Sequence, residues 1–594
     1  SYNESRALRD LMLLLAPFQI TPTTATKIYD HFGARSVDIL RDNPFELCQV
    51  SGFGFKRVDA IMRKNNWPLN SPMRIRGAVF AALESAKGDG GHLYLEAEQL
   101  HKEAMSLLNS MIPVPQMRVK SDDLDAVIDD MLLQGKIINS NGNYYLVKAF
   151  AQEDETARSI ARLLCRPVER VDVQDLLTRV RRQLGVELSL RQTEAVHMVF
   201  RSDLSIITGS PGTGKTTVLK AVIEVFKLLK PSEKILLAAP TGRASRRMAE
   251  STGVDNASTL HSLLGLYGED GGFRKGEEDM LDAGLIIVDE SSMMDMWLAR
   301  KFFSRIGPDT KVLLVGDADQ LQSVGAGDVF RELINCGLIP VTVLNEIFRQ
   351  KKDSLIAYNA QKINNNDTSF FYGNDFTVCK CANQEEAAEH IRNIYLAQVK
   401  QYGVDRVQIL SPFRSTGAAS ADQLNEAIRE LVNPQTEEAD LKVDNHYFRI
   451  GDKVMQNRNS GKASNGDIGF IRGFRHDERD GMRIAIQFSP TRVVEYSMEE
   501  MGHVELAYAT TVHKAQGSEF DVVIFPLLRS HARMLTRSLV YTAITRAKAK
   551  VILVGQIGML YMAVHKDDTG KRNTQLGRRI ALYVNTFKVQ KRSA

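Results

Sequence analysis

Residues 204–229 read LSIITGSPGTGKTTVLKAVIEVFKLL, and this stretch decides the fold. A short apolar run with strand character meets the octapeptide GSPGTGKT (209–216), and a segment with helical spacing follows. The octapeptide matches G-x-x-x-x-G-K-[ST], the phosphate-binding loop, in the strand–loop–helix setting that motif requires. The residues expected at the nucleotide are Gly212, Thr213, Gly214, Lys215, Thr216 and Thr217. Their amides are placed to cradle phosphates, Lys215 to set charge on the β- and γ-phosphates, and the Thr216 hydroxyl to hold Mg2+.

Further along, strand-like apolar runs alternate with helical stretches: KILLAAPT (234–241), GLIIVDE (284–290), KVLLVGD (311–317), PVTVLNE (340–346), and later VQILSPF (407–413), DVVIFPL (521–527) and KVILVG (550–555). Such alternation predicts an α/β fold of parallel sheets flanked by helices. Two cores are expected, one over 186–345 and one assembled from 346–435 and 501–565. Between the two halves of the second, at 436–500, short strand-like pieces and turns such as Asn465-Gly466-Asp467 predict an inserted small β-barrel.

Several polar residues sit where these runs end. Asp289 is expected to hold Mg2+ through water and Glu290 to polarise an attacking water as general base. Two acids closing a buried strand are costly unless a cation or a chemical role stabilises them. Gln320, in GDADQLQSVGAG (316–327), can reach the γ-phosphate and a neighbouring site, and Gln192, just ahead of the loop strand, is spaced to bond an adenine edge. Arg349 in EIFRQ (346–350) and Arg546 in LVYTAITRAK (539–548) present planar forks suited to phosphate oxygens. Delivered from the second core, such arginines neutralise developing charge, an effect of roughly 10³–10⁵ in rate. The polar loop TTVHKAQGSEFDVV (510–523) adds Gly517 and Glu519 to the residues expected at the nucleotide.

The bulk properties bound the rest. With 43% hydrophobic and 25% charged residues in 594, the chain is globular and multidomain rather than disordered. No apolar stretch approaches the ~18 residues of a membrane helix. A net charge of +4 is too small to argue for nucleic acid, so any basic surface must come from local clustering. Five scattered cysteines, of which only Cys379 and Cys381 are close, make neither a disulfide framework nor a zinc site and point to a reducing, cytoplasmic compartment. The chain opens on Ser1 rather than Met, which leads to the expectation of a segment ahead of it.

Ahead of the cores, residues 1–70 read as short helices broken by turns. The stretch 45–63 shows helix, Ser51-Gly52-Phe53-Gly54, helix, and looks like a helix-hairpin-helix, in which Gly52 and Gly54 let backbone N–H groups approach a DNA phosphate. An αα-corner with a glycine cap fits the same pattern. A companion copy at 16–33 has Ile20-Thr21-Pro22 in place of glycines and is expected only to brace the second. Residues 71–150 read as three helices and a hairpin turning on Asn141-Gly142, a winged-helix-like module suited to DNA or to protein. Residues 151–185 read as a polar, Arg-rich helical connector. Residues 566–594 read as a basic tail, either solvated or in contact with nucleic acid.

Eight motifs then stand in one order: GSPGTGKT, APTGRA (239–244), TLHSLLG (259–265), DESS (289–292), GDADQLQSVGAG, EIFRQ, TTVHKAQGSEFD and YTAITRA. This is the order of the superfamily 1 helicases, and with the helix-hairpin-helix and winged-helix-like regions nearly the whole chain resembles the stand-alone RecD-like DNA helicases of bacteria. Long members carry a further small N-terminal domain, not seen here. The resemblance implies two RecA-like cores with ATP and Mg2+ between them, and 5′→3′ translocation on single-stranded DNA, as in superfamily 1B. It implies unwinding of 5′-tailed duplexes in DNA repair or recombination by a monomer whose protein partners include a repair or single-strand-binding protein. It also implies a β-hairpin pin near 265–279 with Phe273 as wedge, an SH3-like insert, and a DNA channel lined by Thr259, His261, Thr511 and His513, which Arg414 of SPFR joins. Three other classes stay open at this point: a superfamily 1 RNA helicase, the motor subunit of a larger helicase–nuclease, and a nucleotide-switched repair scaffold that does not unwind.

Overall fold

The structure, a computed structural model, describes residues 8–13, 22–50, 53–168, 171–254, 256–267, 272–273, 279–346, 354–435, 440–443, 446–460, 462–477, 481–566 and 572–593. The chain forms two compact units. The first comprises Ser1–Thr156, Gly325–Gly327 and Lys571–Gln575, and the second comprises the remainder.

In the first unit the helices Pro22–Phe32, Ser36–Asp42 and Phe55–Lys64 precede a longer helix, Pro72–Gly90. Phe45 stacks on Phe55 with centroids 5.8 Å apart. Asp59 and Arg74 are both buried, and the Arg74 fork donates to the Asp59 carboxylate at 2.5 and 3.2 Å. The same guanidinium donates to the carbonyls of Leu69 and Leu108 at 2.7 and 2.8 Å, so one cation ties three stretches of the unit together. Helices Ala97–Asn109 and Ser121–Leu133 follow. Strand β1 (Tyr94–Glu96) and the hairpin β2 (Ile137–Ser140) and β3 (Asn143–Leu146) make an antiparallel sheet in the order β1-β3-β2. Asn141 and Gly142, at φ of 57° and 83°, supply the two left-handed residues that a tight hairpin turn requires.

Part of the unit comes from the far end of the chain. Asn573 donates to the Tyr94 carbonyl at 3.0 Å and its own carbonyl accepts from the Leu93 amide at 2.8 Å. The wholly buried Glu153 carboxylate accepts from the Thr574 hydroxyl (2.7 Å), the Gln575 amide (2.6 Å) and the Tyr145 hydroxyl (2.9 Å). Arg572 donates to the carbonyls of Gly325 and Gly327 at 2.7 and 2.8 Å.

The second unit contains two parallel sheets. The first runs β11-β4-β10-β9-β5-β6, from β4 (Leu204–Gly209), β5 (Ile235–Ala239), β6 (Ala257–Thr259), β9 (Leu285–Val288), β10 (Lys311–Gly316) and β11 (Val341–Leu344). All six residues of β4 are buried, as in a sheet covered on both faces. β7 (Leu266–Tyr267) pairs antiparallel with β8 (Gly272–Phe273), with Leu266 opposite Phe273; residues 268–271 and 274–278 of the expected pin lie outside the described residues. The second sheet runs β12-β23-β22-β13-β21, from β12 (Phe376–Lys380), β13 (Val407–Ser411), β21 (Ala509–Thr511), β22 (Phe520–Leu527) and β23 (Ala547–Gly555). Inserted in it are the hairpin β14 (Leu441–Val443) and β15 (His446–Phe448) and a five-stranded antiparallel sheet. The latter is built from β16 (Lys453–Gln456), β17 (Ile468–Asp477), β18 (Gly481–Ser489), β19 (Arg492–Ser497) and β20 (Val504–Leu506) in the order β19-β18-β17-β16-β20. The insert shares its hydrophobic core with the second sheet, because Ile471, Ile484, Ile486 and Tyr496 pack in one cluster with Val407, Ile409, Val522 and Ile524.

Two expectations need correction. The polar connector at 151–185 is part of a core: in helix Gln174–Leu184, Leu177 and Val180 join the buried cluster of the first sheet, while the arginines face outward. The basic tail at 566–594 is not a solvated extension. Residues 572–575 are built into the first unit, and Leu576–Ser593 is a helix whose Leu576, Ile580 and Val584 form a buried stripe at four-residue spacing. It packs on helix Val329–Asn335, where Glu332 accepts from the Gly577 amide at 3.0 Å. No helix among the described residues is long and apolar enough to cross a membrane.

Candidate active site

The phosphate-binding loop leaves the C-terminal end of β4. Gly209 is there because a Cβ would stand 2.6 Å from the Leu344 carbonyl of β11, and Gly212 and Gly214 turn the chain at φ of 86° and 81°. Gly214 caps helix Lys215–Leu229, so the helix N-terminus opens onto the loop. Lys215 Nζ donates to the carbonyls of Gly209 and, at 3.1 Å, Ser210, which aims the ammonium into the loop. Thr213 is buried, its hydroxyl donating to Ser210 O at 2.7 Å, whereas Thr216 is exposed on the first helical turn beside the half-buried Thr217. Gln192 lies against this loop: its amide nitrogen donates to Thr213 O at 3.3 Å and its carbonyl accepts from the Ser189 amide at 3.0 Å. A cavity of about 340 Å³ opens beside the loop, lined by Gly209, Ser210 and Thr213 on one side and Asn345, Ala360 and Gln361 on another.

Asp289 and Glu290 follow β9, which is separated from the loop strand by β10 alone. Glu290 is in the left-handed region at φ 51°, a conformation costing about 1–2 kcal/mol for a residue with a side chain. Its amide donates to Asp289 Oδ1 at 2.8 Å, which holds the turn. Burial, then the neighbouring Glu290, raises the Asp289 pKa, while Arg247 and Lys215 oppose the rise. The half-buried Asp289 carboxylate with an acid beside it, and the Thr216 hydroxyl, are hard oxygen donors of the kind Mg2+ takes. Among the described residues no cluster of three or more His, Cys, Asp or Glu could itself enclose a metal, so any such ion takes most of its ligands from phosphate and water.

The second core faces these groups. Arg546 is buried; its Nη1 stands 3.9 Å from Glu290 Oε1 and donates to Ser518 O at 3.2 Å. Gln320 donates to Asp317 Oδ2 at 3.2 Å, and the same carboxylate oxygen accepts from Tyr541 OH at 2.8 Å. Burial and Asp317 hold the Tyr541 phenol well above its ordinary pKa, so it stays a donor. The Leu321 amide donates to Thr542 Oγ1 at 2.9 Å, and Gln516 Nε2 donates to Leu321 O at 3.0 Å. Asp317, Tyr541, Thr542 and Gln516 thus join the two cores, and the sequence reading assigned none of them a role. Tyr541 and Thr542 sit in helix Arg537–Thr545, where nearly every residue is buried, so their pattern reads as core. Glu519 ion-pairs with Arg247 at 3.0 Å and Lys548 at 3.4 Å. Gly517, at φ 72°, approaches so closely that a Cβ would stand 2.8 Å from Thr241 Oγ1.

Of the residues expected at DNA, Thr259 ends β6 and caps the next turn, accepting from the Ser262 amide at 3.1 Å; the His261 ring packs 6.0 Å from that of Trp297. Thr511 ends β21 and His513 is half-buried in the turn after it. β6 and β21 are edge strands of the two sheets, so Thr259 and Thr511 hold corresponding places in the two cores. Arg414 is mostly exposed and pairs with Glu505 at 3.2 Å. Gly54 precedes helix Phe55–Lys64 at φ −65°, and a Cβ there would meet open space, so its backbone does not demand glycine. Gly52 and Arg349 lie outside the described residues.

Comparison with known proteins assigns domains along the chain. Residues 4–94 match the helix-hairpin-helix domain of ATP-dependent RecD2 DNA helicases, 192–326 an AAA domain, 424–488 the SH3 domain of ATP-dependent RecD-like DNA helicases, and 506–554 the UvrD-like helicase C-terminal domain. The chain is 31% identical over 592 residues to the ATP-dependent RecD2 DNA helicase of Deinococcus radiodurans, spanning 98% of this chain and 79% of that one. It is 28% identical over 419 residues to the RecBCD enzyme subunit RecD of Mycolicibacterium smegmatis, spanning 63% and 72%. A phosphate-binding loop, two adjacent acids after β9 and an arginine from a second core therefore stand in a chain that belongs to the RecD2 family of ATP-dependent DNA helicases.

Proposed function

We propose that this chain is a monomeric 5′→3′ translocase on single-stranded DNA, that the strand stimulates its ATPase, and that it opens 5′-tailed duplexes during DNA repair or recombination. The observation that carries the reading is the 3.9 Å approach of Arg546 to Glu290, which makes hydrolysis on one core dependent on the position of the other. Lys215, Thr216, Thr217 and the amides of residues 212–214 bind the phosphates, with Gln192 beside the base. Thr216 and Asp289 would hold Mg2+, which supplies charge neutralisation at the phosphates. Glu290 takes the proton of the attacking water. Arg546 and Arg349 neutralise charge from the second core, and Gln320 reports the γ-phosphate to Asp317 and hence to Tyr541. Loss of phosphate removes these contacts and favours the open cleft, because a ligand shifts a conformational equilibrium only through its differential affinity. Thr259 and His261 on one core, with Thr511, His513 and Arg414 on the other, grip the strand in alternation; Phe273 splits the duplex, and Gly52 and Gly54 hold its backbone. The polarity follows from the resemblance of the motif set to superfamily 1B.

The test is strand displacement by the purified chain on 5′-tailed, 3′-tailed and blunt duplexes, with ATPase stimulation by matched DNA and RNA oligonucleotides. Displacement of the 5′-tailed duplex alone, with stimulation by DNA, is expected. Preference for the 3′ tail overturns the polarity; ATPase without displacement returns the chain to the class of a switch or of one subunit in a larger motor.

A further inference from the structure

Helix Gly242–Thr252 of the first core carries Arg243, Arg246 and Arg247, and each reaches an acceptor on the far side of the seam between the cores. Arg243 donates to Glu519 O at 3.3 Å and lies 4.6 Å over the Phe520 ring. Arg247 pairs with the Glu519 carboxylate at 3.0 Å. Arg246 makes a two-pronged pair with Asp467 in the insert, at 2.5 and 3.1 Å. The backbones are tight here too, since a Cβ on Gly242 would overlap the Ser464 side chain.

Asp467 sets the Arg246 contact apart from the others on this helix. Its carboxylate is wholly buried, and its other partners are the Ser464 amide at 3.0 Å and Arg492 at 3.3 Å, both from the insert itself. Pulling the cores apart at this point would strip Arg246 from a wholly buried carboxylate and leave Arg492 as its remaining cation. Elsewhere in the seam Arg546 faces Glu290 and Arg247 acts on Asp289 and Glu290, so phosphates arriving at and leaving the candidate site alter the charge around those contacts in every cycle. The insert shares a hydrophobic core with the second sheet and so moves with it as one body.

We propose that the two bodies rock about helix Gly242–Thr252, with the Arg246–Asp467 pair as the fulcrum, and that Arg246 is a positioning residue converting cleft closure into movement of the insert. The proposal uses the helicase activity of the family and does not depend on the polarity proposed above. The test compares the full chain with Arg246→Gln, Arg246→Lys and Arg492→Gln on a fork bearing both single-stranded tails, reading base pairs opened per ATP hydrolysed alongside the melting temperature. Arg492 touches the same carboxylate from within the insert, and thus controls for loss of charge without loss of the contact across the seam.

For Arg246→Gln the yield of base pairs per ATP is expected to fall roughly fivefold or more, the low end of coupling between linked sites, with single-strand-stimulated kcat within about twofold of the parent. Arg246→Lys, which keeps the charge, restores part of the yield, and Arg492→Gln leaves it unchanged. An unchanged yield in Arg246→Gln overturns the fulcrum, whatever the melting temperature does. An equal fall in Arg492→Gln also overturns it, because burial of the carboxylate rather than the bridge would then be responsible. Loss of displacement from the 5′ tail alone would count against the polarity and leave this ratio readable at the fork.

Discussion

Replacing Arg546 by Gln removes one charge from the site while keeping most of the side-chain volume. Arg546 is 2% exposed and its Nη1 stands 3.9 Å from Glu290 Oε1. Two unit charges at that separation, with an effective dielectric constant of about 20, attract by about 4 kcal/mol. A phosphoryl group acquiring charge at a similar distance gains a comparable amount, and about 4 kcal/mol in a barrier is about 10³ in rate. The expected outcome is a fall of about 10³ in kcat for single-strand-stimulated phosphate release, with KM for ATP within a few-fold of the parent, because the charge is needed most as the bond breaks. Steady-state phosphate release against ATP concentration separates the two constants, and a thermal melt confirms that the variant is folded. A raised KM with kcat unchanged would refute the reasoning, since Arg546 would then only help to hold the nucleotide.

Three further outcomes follow from other parts of the molecule. Arg74→Met leaves the buried Asp59 carboxylate without its two-pronged partner and should destabilise the first unit by about 3–5 kcal/mol in denaturant titration; a change below about 1 kcal/mol would mean that Arg63, 3.0 Å from the same carboxylate, suffices. Phe273→Ala should lower strand displacement while sparing single-strand-stimulated ATPase, and parallel loss of both would mark the hairpin as structural. Burial holds His531 at about pKa 4, against about 6.5 in an unfolded chain, so between those values the unfolded state binds more protons. Its contribution to stability is therefore present above pH ~6.5 and lost as pH falls toward 4, by up to about 3 kcal/mol; in His531→Gln the drop in melting temperature between pH 7 and 5 should shrink, and an unaltered pH slope would count against it.

The legible parts of this molecule are those whose chemistry is local in sequence. Three left-handed or closely packed glycines around Lys215 announce a loop with one purpose, and two acids after LIIV announce a strand end in a site. The parallel cores could be read because strands buried on both faces are continuous apolar runs, as LSIIT is. What was not legible depends on residues distant in the chain. Asp317 meets Tyr541 across 224 residues, and Tyr541 lies in a helix so fully buried that its hydroxyl looks like a core tyrosine's. β1 has three residues, too few for any periodicity to show. In the last helix the stripe of Leu576, Ile580 and Val584 was hidden by the count of basic residues around it. Glu153, in a helix rich in polar residues, gave no sign that its carboxylate is sealed in.

The placement of Glu153 sets a timetable for biosynthesis. Two of its hydrogen-bond donors, Thr574 and Gln575, are 421 and 422 residues further along the chain. At the ribosome's pace of about 5–20 residues per second, they emerge roughly 20–80 s after the glutamate does. Through that interval the nascent module carries a carboxyl group whose proper seat has not yet been made, and it must keep that site wet or in a provisional arrangement. A module that leaves the exit tunnel ahead of both cores is thus finished only after them, once Thr574 and Gln575 have emerged.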